Sequence, residues 1–342
     1  MGLATFNWYN HGGELMPNPI PLSLNAKSAP ARFQQGGTAR LVNGFAETIG
    51  EEGRVTFALY CADGLQGFAR LEGIATGIRA ALEVDGALYV VAGTQLWKIQ
   101  SNGISTSLGS MSISGSAQVY MVRNRRSTPD VTIACDGVMY NYRTSLQQVT
   151  DADLLAPLSL TVVDGIVIIG TVDNKWQAGE IDDALSWDAL SFERADASPD
   201  PVVRVFNRQN ELMILGTLTC EFWANAGLAD GTGFARTTVM DLGCLSANSV
   251  ARLDQTVAWV AHDRTVRLLQ GYSGQRISTP AVERDIEALA DKRTIQATSW
   301  TRDGHSYYQI STDKWTWVYD SQYGWSNRES YGRSSWRIST VT

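Results

Sequence analysis

Asn210-Glu-Leu-Met-Ile-Leu-Gly-Thr-Leu-Thr-Cys-Glu-Phe-Trp223 and Asp254-Gln-Thr-Val-Ala-Trp-Val-Ala-His-Asp-Arg-Thr-Val-Arg-Leu-Leu269 repeat one design 44 residues apart: a turn, an apolar strand, a short polar turn and a second strand. A single hairpin of this kind is common. Two at matched spacing raise the question of further copies, because self-similarity over this length marks a ring or a stack of equivalent units rather than an ordinary sheet.

Copies occur in both directions. They are Asp85-Gly-Ala-Leu-Tyr-Val-Val-Ala-Gly-Thr-Gln-Leu-Trp97, Asp130-Val-Thr-Ile-Ala-Cys135, Asp164-Gly-Ile-Val-Ile-Ile-Gly-Thr171 and Asp303-Gly-His-Ser-Tyr-Tyr-Gln-Ile310. Anchored on the leading Asp or Asn, the units start at 85, 130, 164, 210, 254 and 303, with gaps of 45, 34, 46, 44 and 49 residues. A four-stranded propeller blade needs about 40 to 50 residues. The expected fold is therefore all-β, a β-propeller of six blades. Asp136-Gly137 is an equally good turn for the second unit and would change the gaps to 51 and 28, so five and seven blades also stay open.

Length and composition agree with one large β body. All-β architectures often reach 342 residues as one domain. The 44% apolar and 18% charged content is ordinary for a chain with a large core. The net charge of −7 argues against gripping nucleic acid through its phosphates, which needs clustered Lys and Arg. Arg123, Arg125 and Arg126 are the only compact basic group and read as a solvated hairpin tip. Cys61, Cys135, Cys220 and Cys244 sit singly in or beside apolar strands, without metal-ligand spacing, and read as buried reduced thiols. No secretion signal or membrane-spanning run is expected.

Residues 1–32 form a separate element, and 33–342 the propeller body. Phe6, Trp8 and Tyr9 precede Pro17, Pro19, Pro21 and Pro30, so the reading is an extended arm docked through its aromatics against a neighbouring subunit or adaptor. Ala39–Val42, Val55–Tyr60 and Phe68–Leu71 look like strands without a copy of the repeat, and they can close against the unit that holds Trp300 and Trp317. One short helix is expected after Thr279-Pro280, with Val282, Ile286 and Leu289 on one face.

Known chemistry is mostly missing. There is no phosphate loop, dinucleotide fingerprint or HExxH motif, and no cofactor or metal is implied. His262 beside Asp263 is the one candidate base for a nucleophile, and it reads as a turn residue. Asp182 and Asp183 near Trp187 combine carboxylates with an aromatic ring, the requirements of a glycan site, which supplies an alternative reading as a propeller glycosidase or lectin.

Several strings, taken in order, resemble the tail nozzle (hub) family of short-tailed bacteriophages, also called packaged-DNA stabilisation proteins. They are Leu41-Val-Asn43 with Ala46-Glu47, Asp188-Ala-Leu-Ser-Phe192 through Ala197-Ser-Pro-Asp200, Asn210-Glu-Leu with Gly216-Thr217, and Glu221-Phe-Trp223 with Asn225 and Gly227. Gly271-Tyr272, Gln275-Arg-Ile-Ser-Thr279 with Glu283, Gly304-His305 and Thr316-Trp-Val-Tyr-Asp320 complete them, over about residues 39 to 330. The resemblance implies a non-enzymatic virion protein of the phage tail, assembled in the bacterial host cytoplasm. It implies a hexameric ring below the head-tail adaptor, meeting needle, fibre or spike proteins, that holds the packaged genome and later lets it pass without specific binding. Among the matched strings, Gln275 and Arg276 are read as fold or interface positions. A channel of this kind should carry more Asp and Glu than Lys and Arg on the loops that face it.

Overall fold

Each of the six repeats forms one four-stranded antiparallel sheet in the computed structural model, which describes residues 3–4, 22–23, 26–32, 39–48, 57–74, 77–228 and 231–338. Two small pairs come first: β1 (Leu3–Ala4) with β2 (Leu22–Ser23), and β3 (Gly44–Thr48) with β4 (Phe57–Cys61). Blade 1 holds β5 (Ile78–Val84), β6 (Ala87–Ala92), β7 (Gln95–Ile99) and β8 (Ser105–Ser110); blade 2 holds β9 (Tyr120–Arg123), β10 (Val131–Cys135), β11 (Val138–Tyr142) and β12 (Leu146–Gln148). Blade 3 holds β13 (Ser159–Val163), β14 (Ile166–Gly170), β15 (Lys175–Ile181) and β16 (Phe192–Arg194); blade 4 holds β17 (Val202–Arg208), β18 (Glu211–Gly216), β19 (Cys220–Asn225) and β20 (Phe234–Met240). Blade 5 holds β21 (Ala251–Leu253), β22 (Thr256–Val260), β23 (Val266–Gln270) and β24 (Ser273–Arg276); blade 6 holds β25 (Gln296–Arg302), β26 (His305–Ser311), β27 (Thr316–Asp320) and β28 (Gly324–Asn327).

The anchor residues are turns because their backbone is left-handed. Asp85 and Gly86 have φ of 51° and 74°, Asp164 and Gly165 53° and 85°, and Asp303 and Gly304 50° and 80°. Positive φ at both central positions is what a two-residue type I′ hairpin requires, and Asp-Gly supplies it at least strain. Blade 2 differs. Its first connection is a loop over residues 124–130, so Asp130 immediately precedes β10 as the other anchors precede their second strands. Asp136-Gly137, with φ of 49° and 80°, makes the β10–β11 turn of the same blade. The two candidate anchors are successive turns of one unit, and the blade number is six.

Second strands decide the packing. In β22 the side chains of Val257 and Trp259 face the blade 4 side with Met213 and Phe222, while Ala258 and Val260 face blade 6 with Tyr308 and Trp317. The same division puts Ile168 of β14 with Ile214 and Trp223, and Val167 and Ile169 with Ala134 and Met139. Alternation along a strand thus feeds two interfaces, so the run is apolar at every position instead of every second one.

Helix α1 (Pro280–Glu287) joins blade 5 to blade 6, with Thr279 at its N-cap. Val282, Ile286 and Leu289 are buried in the cluster between those blades, and Trp317 Nε1 donates to Asp285 Oδ2 at 2.8 Å.

The early chain meets the last unit, with a difference from the expected closure. Blade 6 already has four strands of its own, and the early segment adds outside them. Val42 bridges Asn327 in parallel, Asn43 N donates to Asn327 O at 2.9 Å, and the buried Arg328 reaches Gly44 O at 2.8 Å. Farther upstream, Ser28 N donates to Trp325 O at 2.7 Å and Arg284 of α1 holds Pro30 O at 2.8 Å. Residues 68–71 are not a strand. They run beside blade 1, where Ser105 Oγ donates to Arg70 O at 3.3 Å, and Leu71 and Ile74 cover the face of Val90, Ala92 and Ile99.

The connection from blade 4 to blade 5 passes closely over the β18–β19 turn at Gly243, where an added β-carbon would overlap the Thr217 backbone. Gly243→Ala is expected to lower stability by at least about 2 kcal/mol, the scale of a forced backbone shift. Gly115→Ala, at a position with open space around it, should stay within about 0.5 kcal/mol. Denaturant unfolding of both variants measures the contrast.

Candidate functional site

The sequence strings that set this chain apart form interlocks between loops and blades. Asp200, buried in the turn that begins at Ser198, accepts from Leu218 N at 2.6 Å, Thr219 N at 3.0 Å and Thr219 Oγ1 at 3.0 Å. Gly216 leaves the space for it, since a β-carbon there would overlap Asp200 Oδ2. Glu221, 2% exposed, accepts from Ala197 N at 2.8 Å and from Trp223 Nε1 at 3.0 Å. The loop after blade 3 is thereby fastened to the β18–β19 hairpin of blade 4. A buried carboxylate that accepts several N–H bonds is held in one orientation by them, which suits a lock.

Arg276 belongs to a second lock. Its Nε and Nη2 bind the two carboxylate oxygens of Glu283 at 2.7 and 2.6 Å, and Ser278 Oγ donates to Glu283 Oε1 at 2.6 Å. This bidentate pair ties the end of β24 to α1. Gln275 is exposed on β24, opposite Leu268. Phe6, Trp8 and Tyr9 lie outside the described residues.

A third lock is His305 Nδ1 with Asp320 Oδ2, at 2.8 Å and buried. Phe45, Tyr307 and Tyr323 surround the imidazole within 6 Å. No Ser or Cys nucleophile is bonded to this ring among the described residues. His262 is a turn residue as expected: its Nδ1 accepts from Gly243 N at 3.0 Å.

The acidic and aromatic group around Asp182 is built into the blade 2–blade 3 contact. Asp182 Oδ1 accepts from Arg125 N at 2.9 Å, and its backbone oxygen accepts from Arg126 Nε at 2.7 Å. Asp183 Oδ1 accepts from Leu185 N at 3.1 Å. Trp187 is 5% exposed, donates Nε1 to Ala184 O at 3.0 Å and lies against Gly179, so neither ring face is open for a sugar to stack on. Arg125 also bonds Asp164 O in the facing turn. The basic group lies exposed at the β9–β10 tip, as expected, and there Arg125 and Arg126 also clamp blade 2 to the turns of blade 3.

Asp130, fully buried, receives Arg143 Nε and Nη2 at 2.8 and 2.7 Å. In the sequence Asp130 reads only as a repeat anchor, and its neighbours give no signal of a separate role, since Asn210 and Asp254 lack a following Gly as well. Among the described residues no group of three or more His, Cys, Asp or Glu is placed to hold a metal ion.

Cys135, Cys220 and Cys244 are buried as expected, but Cys61, at the end of the outlying hairpin, is exposed. Burial pushes the Cys135 and Cys220 thiols up, and that of Cys244 to about 12. The reactive species is the thiolate. At pH 8 the folded protein is therefore expected to give one fast thiol with a disulfide reagent, lost in Cys61→Ser, and three more only after denaturation.

The comparisons agree with this arrangement. Residues 38–338 match the family described as bacteriophage P22 Gp10, β-propeller, a phage stabilisation family. Among solved structures, virginiamycin B lyase from Staphylococcus aureus is 10% identical with a TM-score of 0.53, covering 77% of this chain and 88% of that one. The computationally designed Ika8 protein is 15% identical with a TM-score of 0.50, covering 88% and 87%. Likeness at that identity concerns the fold alone. No curated protein sequence matches. Six contiguous blades, and locks built from the very strings that run through residues 38–338, make the chain a member of the bacteriophage P22 Gp10 β-propeller family of phage structural proteins.

Proposed function

We propose that six copies of this chain close into the tail nozzle ring of a short-tailed phage, joining the head-tail adaptor to the tail tip, retaining the packaged genome and then letting it out. The observation that carries this reading is the family match over residues 38–338, whose shared strings here act as fold locks rather than as a reaction centre. What such strings preserve is a shape, and a shape is what a ring component contributes.

The blade axis itself cannot be the conduit. The inner strands leave a cavity of about 380 Å³. Tyr120 and Asn248 join across it at 3.3 Å, and Arg204 lies over the Tyr120 and Phe206 rings. DNA, whose major groove alone is about 12 Å wide, needs a passage between several copies. The sixfold count proposed for the ring is independent of the six blades of one subunit.

The outlying hairpin offers a surface for such copies. Tyr60, Leu65 and Phe68 are 47%, 61% and 63% exposed, and Leu65 shares a groove with Tyr331, which is fully exposed. Large apolar side chains grouped in this way favour a partner over solvent. The net charge of −7 suits a lumen that repels the phosphate backbone it must let slide. No observation favours the glycan reading, since Trp187 is enclosed.

Mass measurement of the assembled protein should give six times 37.4 kDa, and imaging should show a lumen with more Asp and Glu than Lys and Arg. Leu65→Asp combined with Phe68→Asp should shift the mass towards the single chain. A wild-type monomer that cleaves host surface glycans, or a lumen lined with arginines, would overturn the reading.

A further inference from the structure

The axial cavity is lined at the ends where the inner strands begin, and its charge is unbalanced. Arg79 of β5 and Arg204 of β17 both line it, and no Asp or Glu does. Arg79 is well satisfied: Nη1 donates to Gly93 O at 2.6 Å and Nη2 to Ala117 O. Arg204 is not. Its Nη1 donates to Ala247 O at 2.7 Å and Val250 O at 3.0 Å, while Nε is enclosed without an acceptor and Nη2 has none either. Three of the five N–H groups of a guanidinium are thereby left over.

A cation held inside a protein normally has a carboxylate or another full set of acceptors, because removing it from water is otherwise expensive. Here the rings of Tyr120 and Phe206, at 5.1 and 5.3 Å, supply partial compensation. Burial lowers the pKa of Arg204, and no carboxylate is among the groups that oppose the shift. The remaining lining groups include further donors: Asn248 accepts from Tyr120 through Oδ1, which leaves its amide N–H groups as donors, and Gln296 also lines the cavity. A volume of about 380 Å³ is at the small end of ligand pockets.

We propose that this cavity binds a small oxyanion of the phosphate type, held by Arg204 Nη2 and by the Asn248 amide, with Arg79 of the lining supplying further positive charge. Guanidinium groups match the geometry of tetrahedral oxyanions through paired N–H bonds. The anion would connect blade 4 to the segment that opens blade 5 and, through the field of Arg79, to blade 1. It acts as a pin at the centre of the wheel, independent of how many copies form a ring.

The test uses the full-length protein purified without phosphate or sulfate. Inorganic phosphate is titrated at low millimolar concentration against chloride of matched ionic strength, with calorimetry and thermal unfolding as readouts. The expected result is a saturable heat and a rise in Tm of several degrees, both absent in Arg204→Met. That variant should equal or exceed the wild type in phosphate-free buffer, because it removes an under-satisfied cation. Asn248→Leu, weakening the phosphate affinity at least tenfold with little change in basal Tm, provides a second arm should Arg204→Met fail to fold. No saturable response of the wild type overturns the proposal. So does an equal response of Arg204→Met or Asn248→Leu, or an equal response to AMP, either of which would place the anion on the outer surface.

Discussion

In blades 1–5 the second strands carry apolar side chains on both faces, and neither face can be left in water. That one constraint organises the fold. In β10, β18, β22 and β26 the residues are buried along nearly the whole strand, with odd and even positions serving different neighbours. A flat stack of such sheets would leave two faces exposed, whereas a ring brings a neighbour to each face, with Leu71 and Ile74 of the early chain covering that of blade 1 at the closure. Burial of large apolar side chains contributes roughly 1.5–3 kcal/mol each. The cluster of Trp259, Phe222, Met213 and Val257 therefore outweighs any single polar contact at the blade 4–blade 5 junction.

Polar interactions perform a different task, which is registration. Asp200, Glu221, Glu283 and Asp320 are carboxylates that are wholly or largely withdrawn from water, each bound to donors from a different stretch of chain. A withdrawn carboxylate penalises every arrangement in which its partners are displaced. Asp200 and Glu221 hold the loop after blade 3 in register with blade 4, and Asp320 fixes β27 against β26 within blade 6. The same residues stand in the strings through which the sequence resembles the tail nozzle family.

Closure of the wheel is handled unlike its other junctions. The blade 1 face formed by Val90, Ala92 and Ile99 is covered by Leu71 and Ile74, and Arg302 of blade 6 pairs with Asp63 of the same segment. The early chain is thus a wedge and an outer extension, not a missing strand. It also places the exposed Leu65 beside the exposed Tyr331 at the outside of the last blade.

By itself the sequence determined the repeat, the all-strand class, the blade number within one, the helix after Thr279 and the relationship to phage tail proteins. These follow from local rules: Asp-Gly turns at positive φ, continuous apolar runs at blade length, Pro at the first helical position. Only the tertiary structure decided that Asp130 and Asp136 belong to one blade, that Arg125 and Arg126 clamp turns of the next blade, that Trp187 is enclosed, and that Cys61 is not. It alone revealed Arg204 at the axis. Each of these depends on what a facing blade supplies, and no spacing along the chain encodes which atoms arrive from the other side of a ring.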